Sequence, residues 1–233
     1  MVSVLVAAAA LSSAQRLPQG GVVWRLRVAH HIRVGFLVDL PEGYERDPKQ
    51  KWPFILFLHG SGERGDNLSK VRVHGPPKEV ANGRKLPFIV VSPQCPDGQI
   101  WDTEVLSGLV NELEKRYRID KTREYLTGLS MGGFGVWELA AAMPDRFAAI
   151  APICGGGSWI KCWMLAKTPI WAVHGDSDPS VPYDETRRMV ENVRKLGNPE
   201  VRFDLIPGGG HDVWSAVYAG DEIYDWFLKH KRQ

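Results

Sequence analysis

Five short, nearly unbroken apolar runs mark the middle of the chain: residues 53–59 (PFILFLH), 87–92 (PFIVVS), 124–129 (EYLTGL), 147–153 (FAAIAPI) and 169–175 (PIWAVHG). Runs of this length without alternation read as strands covered on both faces. VRFDLI (201–206) closes the series. Helical patterns lie between the runs. TEVLSGLVNELEKRYR sets Val105, Leu109, Leu113 and Tyr117 on one stripe, and Val136, Leu139, Ala140 and Met143 recur at helical spacing before Pro144. YDETRRMVENVRKLG opens with acids and closes with bases, with Gly197 as a natural stop, and a Trp- and Tyr-rich helix is predicted from about Asp212 to His230. Upstream, VVWRLRVA and IRVGFLVDL alternate, which predicts an antiparallel entry hairpin turning at His30-His31. An antiparallel entry followed by alternating strands and helices predicts a mostly parallel sheet with helices on both faces. Working residues then gather at the carboxyl ends of the strands.

TGLSMGGFG (127–135) stands at one such end. Gly128-Leu129-Ser130-Met131-Gly132 fits G-x-S-x-G between a strand and a helix. Side chains at Gly128 and Gly132 would meet neighbouring backbone in so sharp a turn, and the Ser130 hydroxyl is pushed out above the sheet. A Gly-rich bend with a capping serine is the plain alternative. A nucleophilic serine needs a base, and the base needs an orienting acid. Three histidines follow Ser130. His174 lies in a strand end and reads as a packed turn residue, and His230 sits in a charged, solvated tail. His211, in PGGGHDVW, comes after the last strand, on a loop that three glycines free to reach the strand tips. The acid is expected after PIWAVHG, where HGDSDPSVP offers Asp176 and Asp178. Of these, Asp176 leaves the strand first and suits bonding within its own turn. Pro179 restricts Asp178 to an extended backbone that aims it at the His211 loop. For an oxyanion, one N–H is expected from Met131 and a second from the loop HGSGERG, from Ser61 or else from Gly62.

That loop also spells G-x-G-x-x-G after a strand. A dinucleotide fold would need a helix to start there, and Pro76 and Pro77 are expected to break it. The formal net charge of +2 gives no strong field for nucleic acid or an anionic membrane. Three cysteines allow at most one disulfide within the chain and offer no CxxC zinc pair. The first residues, apolar from Val2 to Leu11 and then small and polar, resemble a secretory h-region without a basic n-region. Residues 1–20 are therefore expected to be a signal peptide or N-terminal extension, and residues 21–233 a single catalytic domain. Export would follow from cleavage near residue 14, and a cytoplasmic location otherwise.

The stretches FLHGSGERGDN, HGPP, PFIVVSPQCP, YLTGLSMGGFG, PDRFAAIAPICGGG, VHGDSDPSVP and GGGHDVW run from about Trp52 to Trp214. Together they resemble the α/β-hydrolase superfamily. More narrowly, they are similar to bacterial phospholipase/carboxylesterase-like proteins (predicted peptidases) related to dienelactone hydrolase, polyhydroxybutyrate depolymerase and feruloyl esterases. The resemblance implies an α/β-hydrolase fold with Ser130 as nucleophile, His211 as base and Asp178 as acid, needing no cofactor and no metal. The implied reaction is hydrolysis of a small-molecule or polysaccharide-linked carboxylic ester through an acyl-enzyme. A serine peptidase and a non-catalytic module on the same scaffold are the alternatives. The connection from Cys154 to Thr168 is too short for a cap domain, so an open cleft and short or compact aromatic acyl groups are expected. Gln94, Trp101, Trp159, Trp163 and Trp214 are the candidate substrate-binding residues, each with ordinary packing or loop bracing as its plain reading.

Overall fold

The computed structural model describes residues 32–232, and before them the backbone of four short strands: β1 (Val2–Ala7), β2 (Ala14–Arg16), β3 (Val22–Trp24) and β4 (Ala29–Val34). These four form two antiparallel ladders, β1 with β4 and β2 with β3. The expected hairpin at His30-His31 is thus corrected. Both residues lie inside β4, opposite Val6 and Leu5, where the β-branched residues after them prolong the strand. Residues 25–28 of the first alternating run lie outside the described residues. At Gly35 the second run splits, and β5 (Phe36–Asp39) goes on into the main sheet.

From there strand and helix alternate. β6 (Trp52–Leu58) leads to α1 (Gly75–Ala81), β7 (Ile89–Pro93), α2 (Thr103–Arg116) and β8 (Ile119–Leu129). Next come α3 (Met131–Ala142), β9 (Ala149–Ile153), β10 (Ile170–Gly175), α4 (Asp184–Lys195) and β11 (Val201–Ile206). The chain closes with α5 (Trp214–Ala219) and α6 (Glu222–Lys229). The sheet has seven strands in the order β11-β10-β9-β8-β6-β7-β5. β5 runs antiparallel on the β7 edge and the other neighbours are parallel.

The unbroken apolar runs are explained by two cores, one on each face. Phe54, Leu56 and Leu58 of β6 point into the core under α2, α3 and α4, and Ile55 and Phe57 point into the core under α5 and α6. Each such fully buried side chain contributes about 1.5–3 kcal/mol relative to exposure. Two helix expectations are corrected. Pro76 and Pro77 sit in the first turn of α1 rather than break a helix, because that turn has no use for the missing N–H groups. The predicted last helix is two, α5 and α6, parted at Gly220, whose extended backbone ends α5. His230 is not free in solvent either: its ring lies 4.5 Å from that of Trp226 and Nδ1 is 2.8 Å from the Trp226 carbonyl. Among the described residues, no helix is long and apolar enough to cross a membrane.

One contact fixes α3 against β6. A methyl group on Gly132 would stand 1.9 Å from the Leu58 carbonyl oxygen, and one on Gly128 would stand 2.7 Å from the same atom. Backbone lies on both sides, so nothing flexible can yield. Gly132→Ala is accordingly expected to abolish soluble, cooperatively folding protein or lower its stability by at least about 3 kcal/mol, in the upper range of single substitutions. Urea unfolding measures it, and a loss under about 1 kcal/mol would mean that α3 shifts freely on the sheet.

Candidate active site

β8 ends at Leu129 and α3 begins at Met131, so Ser130 alone makes the turn. Its φ is 52°, a left-handed value rare outside glycine. The backbone is held there by Ser130 N–H donating to the Ile153 carbonyl (2.9 Å) and Phe134 N–H donating to the Ser130 carbonyl (3.1 Å). Oγ faces His211, with Nε2 at 2.9 Å. His211 Nδ1 is 2.6 Å from Asp178 Oδ2. The other oxygen of Asp178 accepts the N–H groups of Ser180 (2.8 Å) and Val181 (3.0 Å). Burial alone would raise the Asp178 pKa; the hydrogen bonds from His211, Val181 and Ser180 outweigh it and hold the carboxyl below its usual range. Ser130, His211 and Asp178 thus form one hydrogen-bonded line, built by the ends of β8, β11 and β10. Such a line can carry a proton from a serine hydroxyl to an imidazole whose tautomer the carboxylate fixes.

Asp176 is exposed and takes another role. Its Oδ1 accepts Gly208 N–H (2.8 Å) and the Ser177 hydroxyl (2.8 Å). It therefore ties β10 to the loop that carries His211, beyond the bond within its own turn that the sequence led us to expect. The two strand ends come close: a methyl group on Gly175 would stand 2.2 Å from the Gly209 carbonyl oxygen. Cys154, buried with φ 49°, adds a third hold, its thiol donating to the His211 carbonyl at 3.2 Å. Burial pushes that thiol up to about 12, so it keeps its proton. No sequence pattern marked Cys154. Cys95 and Cys162 are also buried, and all three thiols are free.

The loop after β6 folds over Ser130. Ser61 and Gly62 are the first two residues of a 3-10 turn, Ser61–Glu63, and Met131 is the first of α3. N–H groups at such positions have no acceptor within their own helix. Gly60 N–H is already taken by Glu63 Oε2 at 2.9 Å. Sequence reasoning passed over His59, which anchors the loop. Cys95 N–H donates to its Nε2 (3.0 Å), so the proton is on Nδ1 and points to the Gly60 carbonyl (2.6 Å). A histidine directly before a Gly-rich loop at a strand tip was the available signal.

The candidate substrate contacts divide. Trp214 is buried with its ring edge-on to His211 at 4.9 Å, and its indole N–H reaches His74 Nδ1 at 3.4 Å. Trp101 donates to the His59 carbonyl at 3.1 Å and packs on the His59 ring. It lines a cavity of about 280 Å³ with Ile32, Val34 and Gln94. Gln94 braces a loop: its amide nitrogen donates to the carbonyls of Glu63 (2.8 Å) and Asn67 (2.9 Å). Trp159 and Trp163 are 51% and 61% exposed on the 3-10 segment Trp159–Leu165, with Cys162 and Leu165 as its buried side.

With this geometry in hand, similarity to known proteins becomes informative. A family model described as "Putative esterase" matches residues 29–205. The chain belongs to the Esterase family. It is 29% identical over 149 residues to the bifunctional acetylxylan esterase/xylanase XynS20E of Neocallimastix patriciarum, covering 61% of this chain and 22% of the relative. It is 46% identical over 115 residues to poly(3-hydroxyalkanoate) depolymerase C of Paucimonas lemoignei, covering 45% of this chain and 28% of the relative. The crystal structure of a thermostable esterase superposes with a TM-score of 0.74 at 28% identity, covering 98% of this chain and 64% of that one. The matched region spans between 22% and 56% of the length of the first curated relatives.

The His59 anchor has a pH consequence. Burial, with the Arg64 charge adding to it and the Gly60 bond opposing, pulls its pKa from 6.5 to about 4. Between those values the unfolded chain binds more protons than the folded one. Stability from this group is therefore full above pH 6.5 and declines as pH falls toward about 4, by up to about 1.4 kcal/mol per unit. His59→Gln is expected to be less stable at pH 7 but to show a shallower decline of unfolding free energy over that window. An unchanged slope would mean that His59 is protonated in the fold.

Proposed function

We propose that this protein is a serine carboxylic-ester hydrolase that works through an acyl-enzyme on short-chain or compact aromatic esters. The observation that carries the reading is the line Ser130 Oγ–His211 Nε2 (2.9 Å), His211 Nδ1–Asp178 Oδ2 (2.6 Å), at a strained strand-to-helix turn. The family and the names of the relatives support ester chemistry.

Ser130 Oγ attacks the ester carbonyl as its proton passes to His211 Nε2. The carbonyl oxygen takes the negative charge and lies between Met131 N–H and the N–H of Ser61 or Gly62. Collapse breaks the C–O bond, and the alcohol leaves with the proton from His211. Water then gives a proton to His211, its oxygen attacks the acyl carbon, and the acid departs as Ser130 recovers its proton. Throughout, Asp178 stays ionised and steadies the imidazolium. The short Cys154-to-Thr168 connection and the solvent-facing Trp159 and Trp163 leave the cleft open, with Trp214 as the aromatic wall beside His211. A small ester or an acyl group on a polysaccharide fits such a cleft better than a long fatty chain, which would leave methylenes in water at about 0.8 kcal/mol each.

Ser130→Ala is expected to fold and to lose on the order of 10⁶ in turnover. Asp178→Asn should lose about 10⁴ through the wrong imidazole tautomer. Asp176→Asn, which removes the charge from the acceptor of the Gly208 N–H, should instead lose up to about 1 kcal/mol of stability with turnover nearly kept. Turnover and urea unfolding of the three variants side by side test the assignment, and an active Asp178→Asn beside a silent Asp176→Asn would reverse the two acids. Substrate class is tested separately with nitrophenyl esters of rising chain length, methyl ferulate and acetylated xylan. We expect kcat/KM to peak at two to four acyl carbons or on the compact aromatic ester; a rise through twelve carbons would refute the open cleft.

A further inference from the structure

His174 ends no catalytic line and reads in the sequence as a packed turn residue, yet it touches the acid of the site. Its side chain and that of Asp178 are both 0% exposed, and Nε2 lies 3.1 Å from Asp178 Oδ2. The same Nε2 is 2.9 Å from the Val181 carbonyl oxygen. Both neighbours are acceptors, so Nε2 carries a proton, given to the Val181 carbonyl with Asp178 Oδ2 close beside it. On the other side, Nδ1 is 2.7 Å from Thr186 Oγ1, whose one hydroxyl proton is shared between Nδ1 and the Gly155 carbonyl at 2.6 Å. The ring is therefore fixed at both nitrogens, by β10's own turn and by α4.

Oδ2 of Asp178 thus stands between two imidazoles, His211 at 2.6 Å and His174 at 3.1 Å. Val181 closes the arrangement: its N–H donates to Asp178 Oδ1 while its carbonyl accepts from His174. The titratable groups around the His174 ring are Asp178, His211 and the Cys154 thiol, whose sulfur lies within 4.8 Å of the nearest ligand atoms of His174 and Asp178. A core histidine is satisfied by one partner at each nitrogen; His174 Nε2 has a second acceptor, the Asp178 carboxylate, beside the Val181 carbonyl.

We propose that His174 is a positioning residue for hydrolysis, holding both the Asp178 carboxylate and the turn that cradles it, so that Asp178 presents Oδ2 to His211 in one orientation. The proposal rests on the reading of Ser130, His211 and Asp178 as a triad. Removing the donor has two effects. Asp178, still bonded to Ser180 and Val181 N–H, holds Oδ2 less firmly in its productive angle, which costs turnover without touching substrate binding. The carboxylate, one donor poorer, also holds the His211 proton more tightly, and the acid limb of kcat/KM moves to higher pH.

The test compares His174→Leu, which keeps bulk and loses both nitrogens, with His174→Gln, whose amide N–H₂ can reach Val181 and Asp178. For Leu we expect kcat to fall about 10- to 100-fold, the range for a hydrogen bond to a charged group, with KM unchanged and the acid limb displaced upward. Gln should restore kcat to within about threefold of the parent. Ser130→Ala is assayed alongside: if it stays active, the triad reading fails. If Ser130→Ala is dead while His174→Leu keeps the parent's kcat and pH profile, the role given to His174 is overturned. A Leu variant that does not fold leaves the Gln variant and ring ¹⁵N NMR of the parent to decide. A protonated Nε2 whose resonance moves in Asp178→Asn supports the proposal, and an unprotonated Nε2 overturns it.

Discussion

The meeting of Gly132 with the Leu58 carbonyl sets the geometry on which the site depends. With 1.9 Å between that oxygen and the place of a side-chain methyl, α3 can start only if its second residue has no side chain. The helix then begins directly over the end of β6, and the residue before it is forced to φ 52°. A non-glycine residue held so costs of order 1–3 kcal/mol. That cost is offset by α3 itself, which buries Val136, Trp137, Leu139, Ala140 and Ala141 between sheet and solvent layer. The strain is tolerated because the helix behind it is among the most buried elements of the fold, and its product is a hydroxyl that points away from the backbone.

The same logic governs the loops around it. Each is pinned by hydrogen bonds rather than by bulk: the buried His59 and Gln94 hold the loop of Ser61 and Gly62, and the buried Cys154 with the exposed Asp176 hold that of His211. Buried polar groups of this kind cost stability when left unpaired, so each pairing is also a constraint on where its loop can lie. Donors preset in this way need little rearrangement when charge develops on a substrate oxygen.

The parallel sheet was legible because strands buried on both faces are apolar at most positions, and 53–59 or 169–175 are nearly continuous where a half-exposed strand would alternate. The positions of Ser130, Asp178 and His211 followed from order along the chain and from Pro179 and the glycines beside them. What stayed illegible was the sense of single residues with two uses. Pro76 reads as a breaker or as a first-turn residue, and only what precedes it in space decides. Gln94 could face substrate or protein, and the choice depends on a carbonyl tens of residues away, that of Glu63; His174 reads as packed, and its nearness to Asp178 depends on the turn that Val181 closes. Hairpin pairing failed at His30-His31 because register there depends on β1, a partner no local pattern announces.

The tetrapeptide Gly175-Asp176-Ser177-Asp178 shows how little chain the fold needs to separate structure from chemistry. Gly175 lets the loop backbone at Gly209 pass within contact, and Ser177 N–H donates to that same Gly209 carbonyl at 2.9 Å. Asp176, on the solvent side, takes the N–H of Gly208, and Asp178, two residues on and turned inward, takes the imidazole of His211. Both carboxylates thus grip the one loop, at points three residues apart. The outer grip works against water and is weak; the inner one is desolvated, satisfied by four donors if His174 is counted, and correspondingly directional. The loop's position therefore comes from Asp176, Ser177 and Cys154 together, while the angle of the imidazole comes from Asp178 alone. That division explains why two aspartates so close in sequence need not be interchangeable: only one of them is anchored well enough on its far side to orient a ring.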